Sequence, residues 1–344
     1  MANIYNDIIK VFDGGPNSGN HGHLGRPGKV GGSAENPVPK SSVAKMSKSN
    51  KKYLDSDVMK DRSKHSIGKY LTSKGRLKPE RQELHKQIIQ NAFKGIKQTR
   101  KPVIYFNGGG TASGKSTALK SLVPDAPSDS NKLGVVIDPD EIKKSIPEYQ
   151  EMIKNGQSGA AAYAHEESSA LAKQTLALAL KANRYNVLMD GTLGGDLEKT
   201  RNKIRAAKAT GNPVVGNFVT IDYEEALKRA YKRYLDTGRF PNVNDTLKIH
   251  QGVSNNFPEL FKEFDGGKLI NNNGKKPKLI AEFKDGELKI KDKAAYQKFI
   301  EKQRLTKSDV KRYKNNLKKN MERYNREWLK ENPGKTLRKP PKID

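Results

Sequence analysis

Cysteine is absent from all 344 residues, which excludes disulfides and thiolate metal sites and fits a reducing compartment. Aromatic residues amount to 7%, with a single tryptophan. Acidic residues are scarce beside basic ones, 38 against 66, and the resulting net charge of +28 attracts polyanions such as nucleotides, nucleic acid or anionic lipid. No window approaches the ~20 consecutive apolar residues of a membrane span. The start of the chain lacks the basic and apolar regions of a signal peptide, so a soluble, cytoplasmic protein is expected. The hydrophobic share, 34% with 30% charged residues, is below the globular average and implies that part of the chain is not packed.

That part is expected at residues 1–79. Gly14, Gly15, Gly19, Gly31 and Gly32 punctuate a Gly/Ser/Lys-rich stretch without an apolar period, too poor in burial to offset ordering entropy. His21 and His23 within it, lacking further ligands, read as polar filler rather than a metal site. From Glu80, Leu84, Ile88, Ile89, Ala92, Phe93 and Ile96 recur at helical spacing and open the compact region. Strand-like runs follow at Val103–Phe106, Val135–Ile137, Val187–Met189 and Val214–Ile221, separated by helix-like sequence. A long Ala/Leu-rich helix is expected over 161–182, and Asp222 with Glu225 is expected to cap a helix ending at Gly238. Continuous apolar strands alternating with helices predict an α/β fold with a doubly wound parallel sheet. Asp285-Gly286 between two alternating runs predicts a hairpin. Val310, Tyr313, Leu317, Met321, Tyr324 and Trp328 give a closing basic helix one apolar face, expected to dock on the core. The expected division is a disordered tail over 1–79, a compact α/β core over 80–270, and a hairpin with a basic helix over 271–344.

The most specific chemical signal is Gly109-Gly110-Thr111-Ala112-Ser113-Gly114-Lys115-Ser116, followed by Thr117, directly after the first strand. Strand, glycine-rich turn and helix start is the context in which G-x-x-x-x-G-K-[ST] cradles phosphates on backbone N–H groups. In that context Lys115 reaches the outer phosphates of ATP, and Ser116 offers its hydroxyl to Mg²⁺. Asp138 and Asp140 follow the second strand at the carboxyl edge of the sheet, where open α/β folds bind ligands. Either activates a hydroxyl, or one merely caps the next helix. Asp190, in Asp190-Gly191-Thr192, is a candidate for organising Mg²⁺, with Thr192 near the substrate. Arg233, in the crowd Lys228, Arg229, Lys232 and Arg233, and Arg239 beyond it are candidate lid cations for the transferred phosphoryl group.

From about Arg81 to Phe299 the order of segments GGTASGKST, VVIDPDEIKKSIPEY, HEESSALA, NVLMDGTL and KRYLDTGRFPN, with a later His250, resembles the zeta toxin family of small-molecule kinases. The resemblance implies a P-loop kinase fold, ATP and Mg²⁺, transfer of the γ-phosphate to a hydroxyl of UDP-N-acetylglucosamine, and a small antitoxin as partner. It implies Lys115 as the phosphate lysine, Ser116 as metal ligand and Asp140 as base with Asp138 in support. Thr192 matches the family's substrate threonine, and Arg233 and Arg239 the lid arginines. The chain departs from the pattern where Leu193-Gly194 stand in place of Gly-Arg. The family's glutamate on the preceding helix falls on Gln174 by counting, with Glu166 and Glu167 nearby. Two rivals remain: a polynucleotide or other nucleotide kinase, and a virion or DNA-associated protein whose kinase domain is vestigial. The basic ends suit nucleic acid, and the Asn17–Ser33 segment looks like segments of tailed-phage virion proteins, which points to phage origin and virion association.

Overall fold

The computed structural model describes residues 65–72, 77–128, 130–155, 160–238, 240–341 and 343. The expected tail up to residue 64, with its two histidines, lies outside them, as does Arg239. Helix α1 (Pro79–Phe93) opens on a proline at its first turn, a position where no amide partner is lost. Strand β1 (Ile104–Gly109), buried at every residue, leads to α2 (Lys115–Leu122). Then come β2 (Gly134–Ile137), α3 (Pro139–Lys143) and α4 (Pro147–Lys154). The expected 161–182 helix is divided at Ala164 into α5 (Ala160–Tyr163) and α6 (His165–Ala182). Strand β3 (Asn186–Asp190), α7 (Leu197–Lys208) and β4 (Val214–Thr220) follow.

Helix α8 (Tyr223–Thr237) closes on Gly238 at φ 77°, a left-handed cap that glycine adopts without strain. Its expected capping box does not form. Asp222 is the N-cap residue but its side chain makes no cap hydrogen bond, and Glu225 instead accepts from Arg229 Nε at 2.6 Å. Helix α9 (Val243–Leu260) precedes β5 (Gly266–Asn271), β6 (Lys278–Lys284), β7 (Glu287–Ile290), α10 (Lys293–Glu301) and α11 (Lys307–Glu331). Asp285 and Gly286 both turn at positive φ, 51° and 82°, as a two-residue hairpin between β6 and β7 requires.

Two compact units emerge. One comprises the described part of Met1–Ile96 together with Ile137–Asn183. Here α6 packs against α1 and α3, and Ile146, Tyr149, Ala160 and Ala164 form an apolar cluster. The other comprises Lys97–Val136 and Arg184–Asp344. It carries the seven-stranded sheet, ordered β2-β3-β1-β4-β5-β6-β7. Strand β1 is parallel to both β3 and β4, and β4 to β5, while β6 and β7 add antiparallel. The chain therefore winds outward from β1 in both directions, which makes the carboxyl end of β1 the switch point where such sheets bind ligands.

Strand β5 escapes sequence reading because it begins Gly266-Gly267. A Cβ on Gly267 would lie 1.8 Å from the Gly216 carbonyl oxygen, so the close approach of β4 and β5 demands the residue that propensity counts against strands. Phe218 of β4 is fully buried together with Phe257, Phe264 and Phe299. Phe257 meets Phe218 edge-on at 5.0 Å and Phe299 at 5.4 Å. The apolar face of α11 docks as expected, with Leu317, Tyr324 and Trp328 buried against Tyr223, Leu227, Tyr231 and Leu235 of α8. Among the described residues no helix is long and apolar enough to cross a membrane.

Candidate active site

The chain leaves β1 at Gly109, whose N–H donates to the Thr192 carbonyl at 2.9 Å. The loop turns through Ala112 at φ 60° and Gly114 at φ 71°, and Ser113 N–H closes on the Gly110 carbonyl at 3.1 Å. Lys115 begins α2, with Gly114 as an N-cap that supplies no side-chain cap. The first amides of α2 thus keep their hydrogen-bonding capacity at the positive end of the helix dipole, the environment that suits phosphate. Ser113 Oγ is buried without a hydrogen-bond partner, an orphaned polar atom inside the loop. Ser116 and Thr117 stand exposed on the first turn of α2.

Three side chains from distant segments support this loop. His250 on α9, 2% exposed, faces the Thr111 carbonyl with Nε2 at 2.9 Å. Burial, with the Lys302 and Lys115 charges nearby, pushes its imidazole down to about 3 against the favourable hydrogen bond from the loop. The ring is neutral near pH 7, and because its partner is a carbonyl, Nε2 carries the proton. Asn272, just past β5, donates Nδ2 to the Ser113 carbonyl at 2.8 Å. Arg229 in turn donates to the Asn272 carbonyl at 2.8 Å.

The fit is tight enough to test. A Cβ on Gly110 would stand 2.3 Å from the His250 ring, so Gly110→Ala must displace the ring or the loop. The expected result is a loss of ATP affinity of at least about tenfold, the ratio that ~1.4 kcal/mol of misfit produces. Equilibrium binding of ATP to wild type and variant checks it.

The end of β3 is locked to the same loop. Asp190 pairs in register with Asn107 of β1, and the following Gly191 N–H donates to the Asn107 carbonyl at 3.0 Å. Thr192 is thus brought against Gly109, and Asp190 stands at the neighbouring strand end. Leu193, at φ 54° and buried, fills the space above Gly108, where a Cβ would meet its side chain at 2.6 Å. Gly194 lies so close to α9 that a Cβ on Gly252 would be 2.0 Å from its carbonyl oxygen. The Leu193-Gly194 departure therefore has a packing cause: this loop is pressed flat against α9, where an arginine has no room. The Ser116 hydroxyl and the Asp190 carboxylate are oxygen donors, the chemistry that would suit Mg²⁺ beside waters and phosphate oxygens. Among the described residues no cluster of three or more His, Cys, Asp or Glu competes as a metal site.

The crowd of cations on α8 separates into two stripes. Lys228 and Lys232 turn to α11, pairing with Glu327 at 3.2 and 3.3 Å, and Lys232 also with Glu331 at 2.8 Å. Arg229 turns to the phosphate loop, with Nη1 3.4 Å from the point a Gly114 Cβ would occupy. Arg233 is exposed one turn further along. Sequence reasoning missed Arg229. The signal available was the i, i+4 pair with Glu225, which assigns Arg229 a face different from that of its lysine neighbours.

In the other unit, Asp138 is the N-cap of α3, its Oδ1 accepting from Asp140 N–H at 2.7 Å. The capping role left open from sequence is thus filled by Asp138. Asp140 is exposed, with Lys143 Nζ 2.7 Å from Oδ1. Of the three candidates for the family glutamate, Glu167 is committed to structure. It is fully buried and accepts from Arg81 Nε at 2.6 Å, from Ser66 Oγ, and lies 2.5 Å from His85 Nε2. Arg81 also reaches Glu148 at 2.8 Å. Burial opposes the Glu167 charge, but the hydrogen bonds of His85, Arg81 and Ser66 outweigh it and hold the carboxyl at about 2. Gln174 Oε1 is buried without a hydrogen-bond partner.

Comparison with known proteins bears on this geometry. The chain is 27% identical over 238 residues to the calmodulin calcium-dependent NAD kinase of Arabidopsis thaliana, covering 56% of this chain and 44% of that relative. It thus spans less than half the length of that protein. The solved AvrRxo1-ORF1:AvrRxo1-ORF2 complex with ATP superposes at a TM-score of 0.54 with 19% identity, over 73% of this chain and 87% of that one. A structure from the PezAT chromosomal toxin–antitoxin system of Streptococcus pneumoniae gives a TM-score of 0.53 with 16% identity, over 72% and 95%. At these identities the likeness establishes the fold. The zeta toxin family pattern matches residues 86–283, more than half of the sequence and all of the phosphate loop and its supports. With loop, strand order and sequence pattern in agreement, the chain belongs to the zeta toxin family.

Proposed function

We propose that the chain is an ATP-dependent kinase that transfers a γ-phosphate to a hydroxyl of a nucleotide-linked sugar. The observation that carries this is the phosphate loop itself, ending on Lys115 and Ser116 and fixed from behind by Thr192, His250 and Asn272. Family membership and the solved neighbour's ATP support the nucleotide, and the named NAD kinase supports phosphotransfer.

In this reading Lys115 and the first amides of α2 hold the β- and γ-phosphates, with Thr111, Ala112, Ser113 and Thr117 completing the cradle. Ser116 and Asp190 would hold Mg²⁺, which would supply charge neutralisation. The acceptor oxygen attacks γ-phosphorus, and the bond to the β–γ bridging oxygen breaks, releasing ADP. Asp140 takes the hydroxyl proton, with Asp138 holding the turn that presents it, and Thr192 contacts the acceptor. Arg229, Arg233 and Arg239 balance the charge on the migrating phosphoryl group. Asp140→Ala is expected to lower phosphotransfer by at least about 100-fold, the usual worth of a positioned base, with ATP binding retained. Unchanged turnover removes Asp140 from the mechanism.

The family points to UDP-N-acetylglucosamine as acceptor. A second reading, NAD, is favoured by two observations: the relative's name, and the buried Leu193 with its flat Gly194 where the family places an arginine. Labelled ATP offered with UDP-N-acetylglucosamine, NAD or a 5′-hydroxyl oligonucleotide separates these two from the polynucleotide kinase reading. Lack of labelled product with all three sinks the acceptor class. Because PezAT is a toxin–antitoxin system, the chain is proposed to have an antitoxin as partner.

A further inference from the structure

Lys302 lies beyond the family-matched residues 86–283, yet its side chain ends in the middle of the nucleotide-binding unit. It is 7% exposed, in the turn between α10 and α11. Its Nζ donates to Thr220 Oγ1 at 2.5 Å and to the Ile221 carbonyl, the residues where β4 gives way to α8. The ammonium also stands 5.6 Å from the centre of the Tyr223 ring, and the Tyr223 hydroxyl donates to the Lys302 carbonyl at 3.0 Å. Among the described residues no carboxylate forms an ion pair with it. A buried ammonium in such a setting costs stability, so its presence calls for a use.

The contacts beyond it show where that use lies. Tyr223 packs edge-on against His250 at 6.1 Å, and His250 supports the Thr111 carbonyl of the phosphate loop. The adjoining Gln303 tightens the same joint, accepting from Gln251 and donating to the Ser254 carbonyl at 2.8 Å. We propose that Lys302 is a positioning residue for the phosphate loop, fixing Tyr223 and His250 so that the loop carbonyls stay turned away from the incoming phosphates. The inference rests on the ATP reading given above.

The groups facing Lys302 are Asp222 after β4, Tyr223 on α8, and His250 on α9, with Lys115 of α2 beyond His250. Burial pushes the Lys302 ammonium down to about 8, which Asp222 partly opposes. Burial likewise raises the Tyr223 hydroxyl and keeps His250 neutral, so of Lys302, Tyr223 and His250 the lysine alone changes charge between pH 7 and 9.5. Its folded value lies below the ordinary 10.5. The burial penalty is therefore complete below pH ~8 and is relieved as pH rises toward 10.5, so this group's contribution to stability increases over that window. Nucleotide grip changes in the opposite direction, because the charge that orders Tyr223 and His250 is lost.

The experiment is equilibrium binding of ATP, with melting temperature, from about pH 7 to about pH 9.5 for the full chain and for Lys302→Met. For wild type, affinity is expected to fall severalfold as pH rises through about 8 while the melting temperature does not fall in parallel. For Lys302→Met, affinity is expected to be severalfold lower at pH 7 with no step near pH 8. A wild-type affinity that is flat across the range, or that falls only together with the melting temperature, overturns the positioning role. Should Lys302→Met not fold, the wild-type series decides alone. Failure of wild type to bind ATP at pH 7 defeats the nucleotide reading itself and is recognised by that result.

Discussion

Lys115→Ala is expected to abolish phosphotransfer, lowering turnover by about 1,000-fold or more, at the upper end of what one electrostatic group at a transition state contributes. Lys115 is the first residue of α2, next to a left-handed Gly114, so its position is fixed by backbone geometry. Among the described residues its ammonium enters no ion pair. The fold should therefore keep its stability within about 0.5 kcal/mol, as for surface substitutions generally. ADP release measured beside thermal melting checks both halves. A variant that melts normally and still transfers phosphate contradicts the nucleotide geometry at its root.

The second large effect is on stability. Glu167→Ala is expected to destabilise the unit formed by α1, α3 and α6 by about 3 kcal/mol, the scale of breaking a buried ion pair from one side. Arg81, at 2% exposure, keeps Glu148 as its carboxylate partner, while Ser66 and His85 lose theirs. The same carboxyl gives a pH signature. Its folded value is depressed from 4.5 to about 2, so its stabilisation is complete above about 4.5 and is lost as pH falls through about 2. Denaturant unfolding followed at pH 7 and in acid tests this: the gap between wild type and Glu167→Ala should narrow in acid. A constant gap assigns the loss to packing rather than charge.

The features legible in the sequence are those whose cause is local. The phosphate loop announces itself because its glycines, lysine and hydroxyl are contiguous. Strands β1 to β4 are read from apolar runs because most of each strand is buried, and the β6–β7 hairpin from Asp285-Gly286. The features missed have causes distant in sequence. Strand β5 is hidden by Gly267, whose reason is the carbonyl of Gly216. Asp222 and Glu225 satisfy a capping pattern, yet Glu225 is drawn to Arg229, itself held by Asn272. Arg229 was one charge in a crowd until α11 claimed Lys228 and Lys232. Lys302 falls outside the family's own span and no periodicity marks it. His250 was visible only as a late match in an ordered pattern; its role as a prop depends on the bare face of Gly110.

The order of the sheet also bears on synthesis. Strand β1 lies between β3 and β4, and the loop it carries is braced by Asn272. A ribosome that has made the loop must add roughly another 160 residues, and then clear them from its exit tunnel, before that brace exists. The nascent chain is thus without a braced phosphate loop for most of its translation.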